Sequence, residues 1–140
     1  MTTDPLRAYR HTRVKTASQG QLIVMLYDEG LRQLTAAAGE LDSGQPKLDL
    51  VHNAIVKSQD IITELMVSLD FEKGGDIAQN LFHLYMYFNQ KLVDANLSKD
   101  VTGIREVMDL MTELREAWAS IEGTAVAPER SAGAGVNLAG

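Results

Sequence analysis

The feature that most constrains the fold is a set of four long stretches in which apolar residues recur every three or four positions. This spacing places the apolar side chains on one face of an α-helix. The stretches run from about 18 to 41, 47 to 69, 76 to 96 and 99 to 121. Sustained strand alternation with β-branched residues is absent from the sequence. Because short breaks favour antiparallel neighbours, the sequence predicts an all-α, antiparallel up-down four-helix bundle.

Local signals mark where these helices begin. Ser18 with Gln21 three residues later is a capping-box pattern, and Asp76 with Gln79 repeats the spacing. The clearest break in the chain is Lys73-Gly74-Gly75. Glycine tolerates the positive φ that a helix end often requires, so we expect the third helix to start just after this break.

The predicted organisation is a bundle over residues 18–122 with a segment at each end. Residues 1–17 hold only scattered apolar anchors and form an N-terminal segment that is a candidate cap for a groove. Residues 123–140 are rich in Gly, Ala and Ser. A tail of this composition cannot bury enough apolar surface to offset its ordering entropy, so we expect it to be flexible and disordered.

Composition narrows the function. The 140 residues suit one domain, the net charge is −6, and cysteine is absent. An acidic chain is a poor partner for nucleic acid, because phosphate contacts depend on clustered Lys and Arg. An apolar run of the length that a signal peptide or a membrane span needs is also missing from the sequence. We therefore predict a cytoplasmic protein with neither nucleic-acid binding nor membrane insertion.

An enzyme or a metal protein is the weaker hypothesis. Bundles that hold carboxylate-bridged metals use Glu-x-x-His pairs from facing helices. Among the three histidines, only His52 has a carboxylate, Asp49, at that offset. Nucleophile-elbow, phosphate-loop and dinucleotide patterns are missing from the sequence. We predict no catalytic residues, no metal, no cofactor and no enzyme activity.

The third helix carries more apolar surface than a bundle core needs. At 100° per residue, one face holds the candidate core residues Ile77, Leu81, Leu84, Tyr85, Phe88 and Leu92. Phe82, Met86 and Val93 fall on a neighbouring sector. The extra sector is explained either by wide burial of a central helix or by a partner site, since Met and aromatic side chains are enriched in recognition surfaces.

Amide side chains are predicted near this apolar sector. Asn80 and Asn89 belong to the same helix, and Gln59 lies at the edge of the buried stripe of the second helix. Such groups either face solvent, satisfy a buried neighbour or bond a partner's backbone.

Four motifs in order resemble one family. Residues 16–28 (TASQGQLIVMLYD), 57–66 (KSQDIITELM), 74–87 (GGDIAQNLFHLYMY) and 114–118 (LREAW) are similar to successive helix signatures of the flagellar secretion chaperones for flagellin, the FliS family. With Ala8-Tyr9 ahead of the first helix, the resemblance covers about residues 8–120.

The resemblance implies a cytosolic export chaperone. Such a protein binds the C-terminal segment of flagellin, prevents premature polymerisation and helps deliver the subunit to the flagellar type III export gate. It also implies that the segment around Tyr9 covers a client groove in the free protein, and that the export gate and a co-chaperone or regulator are further partners. The predicted partner-binding residues are Tyr9, Ile23, Tyr27, Gln59, Asn80, Phe82, Tyr85, Met86 and Asn89.

An alternative remains at the level of sequence. Spare apolar faces also suit a structural or regulatory bundle that associates with its own copies. The sequence leaves a homodimer open under either hypothesis.

Overall fold

The computed structural model describes residues 18–125, with side chains as far as residue 122. Four helices occupy this part of the chain: α1 (Gln19–Asp42), α2 (Leu48–Val67), α3 (Phe71–Ser98) and α4 (Val101–Ala125). Strands are missing from the described range. The predicted all-α class and helix count are confirmed, while the end segments 1–17 and most of 123–140 lie outside the described residues.

The start of α1 follows the predicted capping box. The Ser18 hydroxyl accepts a bond from the backbone N–H of Gln21 at 3.1 Å, and the Ser18 N–H donates to Gln21 Oε1 at 2.9 Å. Two backbone donors that a helix start leaves unsatisfied are thereby paired.

The structure adds a short turn ahead of the predicted start of α3. The first turn begins at Phe71, because Asp70 Oδ1 accepts from the backbone N–H of Lys73 at 3.0 Å. Gly75 then takes φ 51° and ψ −124°, which kinks the helix before it continues. The predicted positive φ at the Gly-Gly break is confirmed. The long part of α3 resumes after Gly75, so the predicted start near Asp76 is confirmed, while the capped turn ahead of the kink was not predicted.

The end of α3 is also later than predicted. Lys99 closes the helix in the left-handed region, at φ 56° and ψ 42°. Its Nζ donates to the backbone oxygen of Asn96 at 2.7 Å, which satisfies a carbonyl that the helix end leaves free. Helix α4 therefore starts at Val101 rather than at Lys99.

The four helices pack in a ring. Helix α1 contacts α2 and α4, and helix α3 contacts the same two helices from the other side. Two ion pairs fix the direction of α1 against α4. Arg115 Nε donates to Asp28 Oδ1 at 2.7 Å, and Arg105 pairs with Asp42. Since the higher number on α1 meets the lower number on α4, the two helices are antiparallel.

One apolar core fills the ring. Its fully buried members include Leu34, Ile55, Ile62, Leu65, Phe88, Leu92, Ile104, Val107 and Met111. Burying a side chain of this kind stabilises the fold by roughly 1.5–3 kcal/mol.

Helices α1 and α2 approach closely at Gly30. A Cβ there would lie 3.3 Å from Ile61 Cγ2 and 3.1 Å from Met111 Cε. The buried hydroxyl of Ser58 donates to the Gly30 carbonyl oxygen at 3.1 Å, so the polar group at this crossing is satisfied.

Candidate partner-binding surface

An apolar stripe runs along the outer side of α3. Phe82 is partly exposed, and Met86, Val93 and Leu97 expose 49%, 41% and 83% of their surface. Their spacing of four, seven and four residues keeps them on one line about 22 Å long. The prediction that Phe82, Met86 and Val93 lie outside the core is confirmed. These four residues are called the α3 stripe below.

Both ends of this apolar surface were not predicted from the sequence. Phe71 is 44% exposed, and its ring meets that of Phe82 edge-on with 6.0 Å between centroids. Leu97 was missed as well, because the third helix was predicted to end at Asn96. The available signals were Asp70 with Lys73 as a cap and Leu97 four residues beyond Val93.

Polar side chains join α2 to α3 beside the stripe. Gln59 Nε2 donates to the backbone oxygen of Asn89 at 3.3 Å. Asn89 Nδ2 lies 3.5 Å from Thr63 Oγ1, the upper limit for a hydrogen bond. Gln59, Thr63 and Asn89 are called the amide cluster below. The structure thus brings together two predicted site residues, Gln59 and Asn89.

A second polar contact lies about two helical turns away. Asn96 Nδ2 is 2.9 Å from His52 Nδ1. Lys99 Nζ donates to Asn96 Oδ1 at 2.5 Å, so the amide nitrogen of Asn96 faces the histidine as a donor. His52 Nδ1 is therefore the acceptor, and the residue is engaged within the seam between α2 and α3.

One acceptor of the amide cluster has no partner. Asn89 Oδ1 is buried, and within residues 18–122 nothing donates to it. A buried carbonyl oxygen without a donor is uncommon, since most buried polar atoms are paired.

Three predicted site residues lie in the core rather than on the surface. Ile23 is 4% exposed, Tyr27 0% and Tyr85 1%. In this conformation their side chains have almost no area for a partner. The signal that selected Ile23 and Tyr27, a family-like run of residues, does not separate core positions from surface positions.

The two tyrosines form a buried polar contact. Their hydroxyl oxygens are 2.6 Å apart, across the bundle from α1 to α3. Burial raises the pKa of Tyr27, and the neighbouring Tyr85 raises it further. Burial also raises the pKa of Tyr85 to about 12, although hydrogen bonds from Tyr27 and Trp118 act in the opposite direction. Both groups are therefore neutral hydroxyls at ordinary pH.

Asn80 lies apart from the other predicted residues. It is exposed and precedes Phe82 by two positions, which turns it about 160° from the stripe. Its side of α3 is that of Tyr87, which donates to Glu106 of α4. The hydrogen bond to Glu106 raises the pKa of Tyr87. Tyr9 lies outside the described residues.

Two other kinds of site are absent from the described range. Groups of three or more His, Cys, Asp or Glu side chains placed to hold a metal ion are missing from residues 18–125. Over the same residues, none of the helices combines the length and the apolar character that crossing a bilayer requires.

The fold and its surface define a class: a helical bundle with an apolar stripe left outside its core, which suits recognition of another chain. Comparison with known proteins makes the class specific. Residues 2–125 match the family model described as flagellar protein FliS.

Relatives from three bacteria agree. The flagellar secretion chaperone FliS of Salmonella typhimurium is 39% identical over 127 residues, covering 86% of this chain and 91% of the relative. FliSB of Pseudomonas aeruginosa is 36% identical over 110 residues, or 78% and 85% of the two chains. FliS of Bacillus subtilis is 30% identical over 115 residues, or 82% and 84%. The chain belongs to the FliS family of flagellar secretion chaperones.

Proposed function

We propose that this chain is a cytoplasmic export chaperone that binds the C-terminal segment of flagellin. It prevents premature polymerisation of the subunit and aids its delivery to the flagellar type III export apparatus, with the export gate and a co-chaperone or regulator as further partners. Relatives named as flagellar secretion chaperones support this role. Their names also favour a binding function over catalysis.

The observation that carries the proposal is the α3 stripe. Apolar side chains that are exposed in one line are costly to leave in water, and their spacing fits a partner laid along the helix. Met86 is flexible and polarizable, which suits a segment that has no fixed structure before it binds. Gln59 and Asn89 border the stripe and are proposed as polar contacts of the same partner.

The experiment is calorimetric titration of the full chain with a synthetic C-terminal segment of flagellin from the same organism. We expect saturable binding with a negative heat-capacity change, because apolar surface is buried and a disordered segment becomes ordered. An absence of binding across the accessible concentration range would contradict the proposal.

A matched pair of variants tests the surface. Met86 and Tyr87 are adjacent and expose 49% and 42% of their surface, but they lie on different sides of α3. Met86→Lys should weaken binding by about tenfold or more, since loss of an anchor typically exceeds 1 kcal/mol. Tyr87→Lys adds the same charge away from the stripe and should bind normally. Equal effects would remove the stripe from the binding site.

The alternative is a bundle that buries its stripe against a second copy. Light scattering during the same titration separates the two functions. A stable oligomer that is insensitive to both flagellin and Met86→Lys contradicts the chaperone proposal, whereas a monomer or a dissociating oligomer that binds flagellin supports it.

A further inference from the structure

Met86 combines an exposed thioether with a place in the middle of the α3 stripe. Resting on the function proposed above, we propose that Met86 is a reversible oxidation site that controls capture of the client. A peroxide converts its thioether to a sulfoxide, which weakens binding of the flagellin segment, and reduction of the sulfoxide restores binding.

The methionines differ in their exposure to an oxidant. The chain has six, of which Met1 lies outside the described residues. Met86 exposes 49% of its surface, whereas Met111 is fully buried in the core. The other three are half-buried: Met25, Met66 and Met108. Because a peroxide must reach the sulfur atom to react, Met86 is the methionine of the described range that reacts first.

The composition of the chain leaves this reaction without a competitor of a more reactive kind. A cysteine thiolate is ordinarily the sulfur group that a peroxide attacks most readily. Cysteine is absent from the sequence. An oxidant that meets this chain therefore finds thioethers as its sulfur targets, and the exposed one lies on the proposed binding surface.

The step is a two-electron transfer of oxygen. The sulfur lone pair of Met86 attacks one oxygen of hydrogen peroxide, the O–O bond breaks, and the other oxygen leaves as water after a proton passes to it. Sulfur is oxidised and the peroxide is reduced. Methionine sulfoxide reductase reverses the change. The sulfoxide oxygen then leaves as water, while two thiols that supply the electrons become a disulfide.

The position of Met86 makes this chemical change a change in binding. Met86 follows Phe82 by four residues and precedes Val93 by seven, so it has apolar neighbours on both sides along the stripe. A sulfoxide oxygen is a polar acceptor, and a client that covers it must remove it from water. The Met86 side chain lies outside the core, so oxidation leaves the packing of the bundle intact.

Peptide mapping of the oxidised chain tests the site itself. The full chain is treated with hydrogen peroxide, the peroxide is removed, and mass spectrometry gives the order in which the methionines gain oxygen. We expect Met86 to be modified before the four other methionines of the described range, with helical circular dichroism unchanged. Modification of any of those four ahead of Met86 would overturn the inference.

Calorimetric titration with the synthetic C-terminal flagellin segment measures the consequence. Oxidation at Met86 should weaken binding by about fivefold or more, since a polar group is buried without a partner. Treatment with methionine sulfoxide reductase and a thiol reductant should restore the original affinity. Binding that stays weak after the sulfoxide has been reduced would show that damage elsewhere, and not Met86, is the cause.

Two variants at the same position serve as controls. Met86→Leu keeps the apolar area but cannot be oxidised, so it should bind like the reduced wild type both before and after peroxide. Met86→Gln places a polar group of similar length there and should bind as weakly as the oxidised protein. A loss of binding by Met86→Leu after peroxide would assign the effect to another residue.

The outcomes separate this inference from the proposed function. If the flagellin segment does not bind the reduced wild type, the proposed function fails and the inference fails with it. If the segment binds the reduced and the Met86-oxidised chains equally, the function stands and the inference is overturned. A complex formed before peroxide is added should protect Met86, and rapid oxidation of Met86 in that complex would also count against the inference.

Discussion

Tyr27 of α1 and Tyr85 of α3 meet hydroxyl to hydroxyl in the core, with their oxygens 2.6 Å apart. Their ring centroids lie 6.4 Å apart at an interplanar angle of 55°. The contact joins helices on opposite sides of the ring, and Trp118 of α4 acts to lower the pKa of both hydroxyls. A polar contact at this depth stabilises only when both partners are present.

We therefore expect Tyr27→Phe and Tyr85→Phe each to lower the free energy of unfolding by about 1 kcal/mol. The double variant should lose less than the sum of the two, because either change alone already breaks the shared bond. Urea unfolding of the four proteins measures this coupling. Strict additivity would show that the hydroxyls do not interact in solution.

Alkaline pH should lower the stability of the fold by ionising the same pair of tyrosines. A neutral hydroxyl is favoured in the folded protein, since the pKa of Tyr27 is raised and that of Tyr85 is raised to about 12. This contribution to stability is fully present below the unfolded value of about 10. It is lost as pH rises from there through the folded pKa values.

Ultraviolet absorbance of tyrosinate, followed alongside helical circular dichroism, measures the effect. We expect Tyr27 and Tyr85 to ionise together with the loss of helix above pH 10. Tyr27→Phe provides the control, because it removes one of the two delayed ionisations. Early ionisation of both groups in a protein that remains helical would contradict their placement.

The capped turn ahead of the kink is testable with two aspartates. Asp70→Ala should lower the free energy of unfolding by about 0.5–2 kcal/mol, because the Lys73 N–H loses its acceptor. Asp76→Ala should change it by less than about 0.5 kcal/mol, as expected of an exposed position. The reverse order in denaturant midpoints would place the stabilising cap at Asp76 rather than at Asp70.

These results show what local sequence can and cannot specify. The placement of Phe82, Met86 and Val93 outside the core followed from helix periodicity, which depends only on neighbouring residues. Periodicity likewise placed Tyr85 on the core face of α3, and Tyr85 is buried. The contact between the Tyr27 and Tyr85 hydroxyls did not follow, because it depends on which helices face each other across the ring. Phe71 was missed for a third reason: its turn is set by one cap at Asp70, and the stronger Gly-Gly signal concealed it.

Two glycines of α1 give the last prediction. Gly39 is exposed, and a Cβ there would have nothing within 4 Å. Gly39→Ala should raise the free energy of unfolding by about 0.5–1 kcal/mol, since alanine favours the helix more than glycine does. At Gly30 the same gain in helix preference is offset by crowding, because the added methyl group would press on Ile61 and Met111.

Overpacking of a well-filled core typically costs about 1–3 kcal/mol, which exceeds the gain in helix preference. We therefore expect Gly30→Ala to lower the free energy of unfolding by about 1 kcal/mol. Gly30→Ala combined with Ile61→Leu should recover part of the loss, because leucine lacks the Cγ2 methyl group that would lie 3.3 Å from the added Cβ. Stabilisation by Gly30→Ala equal to that of Gly39→Ala would show that α1 and α2 lie farther apart in solution than the contact at Gly30 requires.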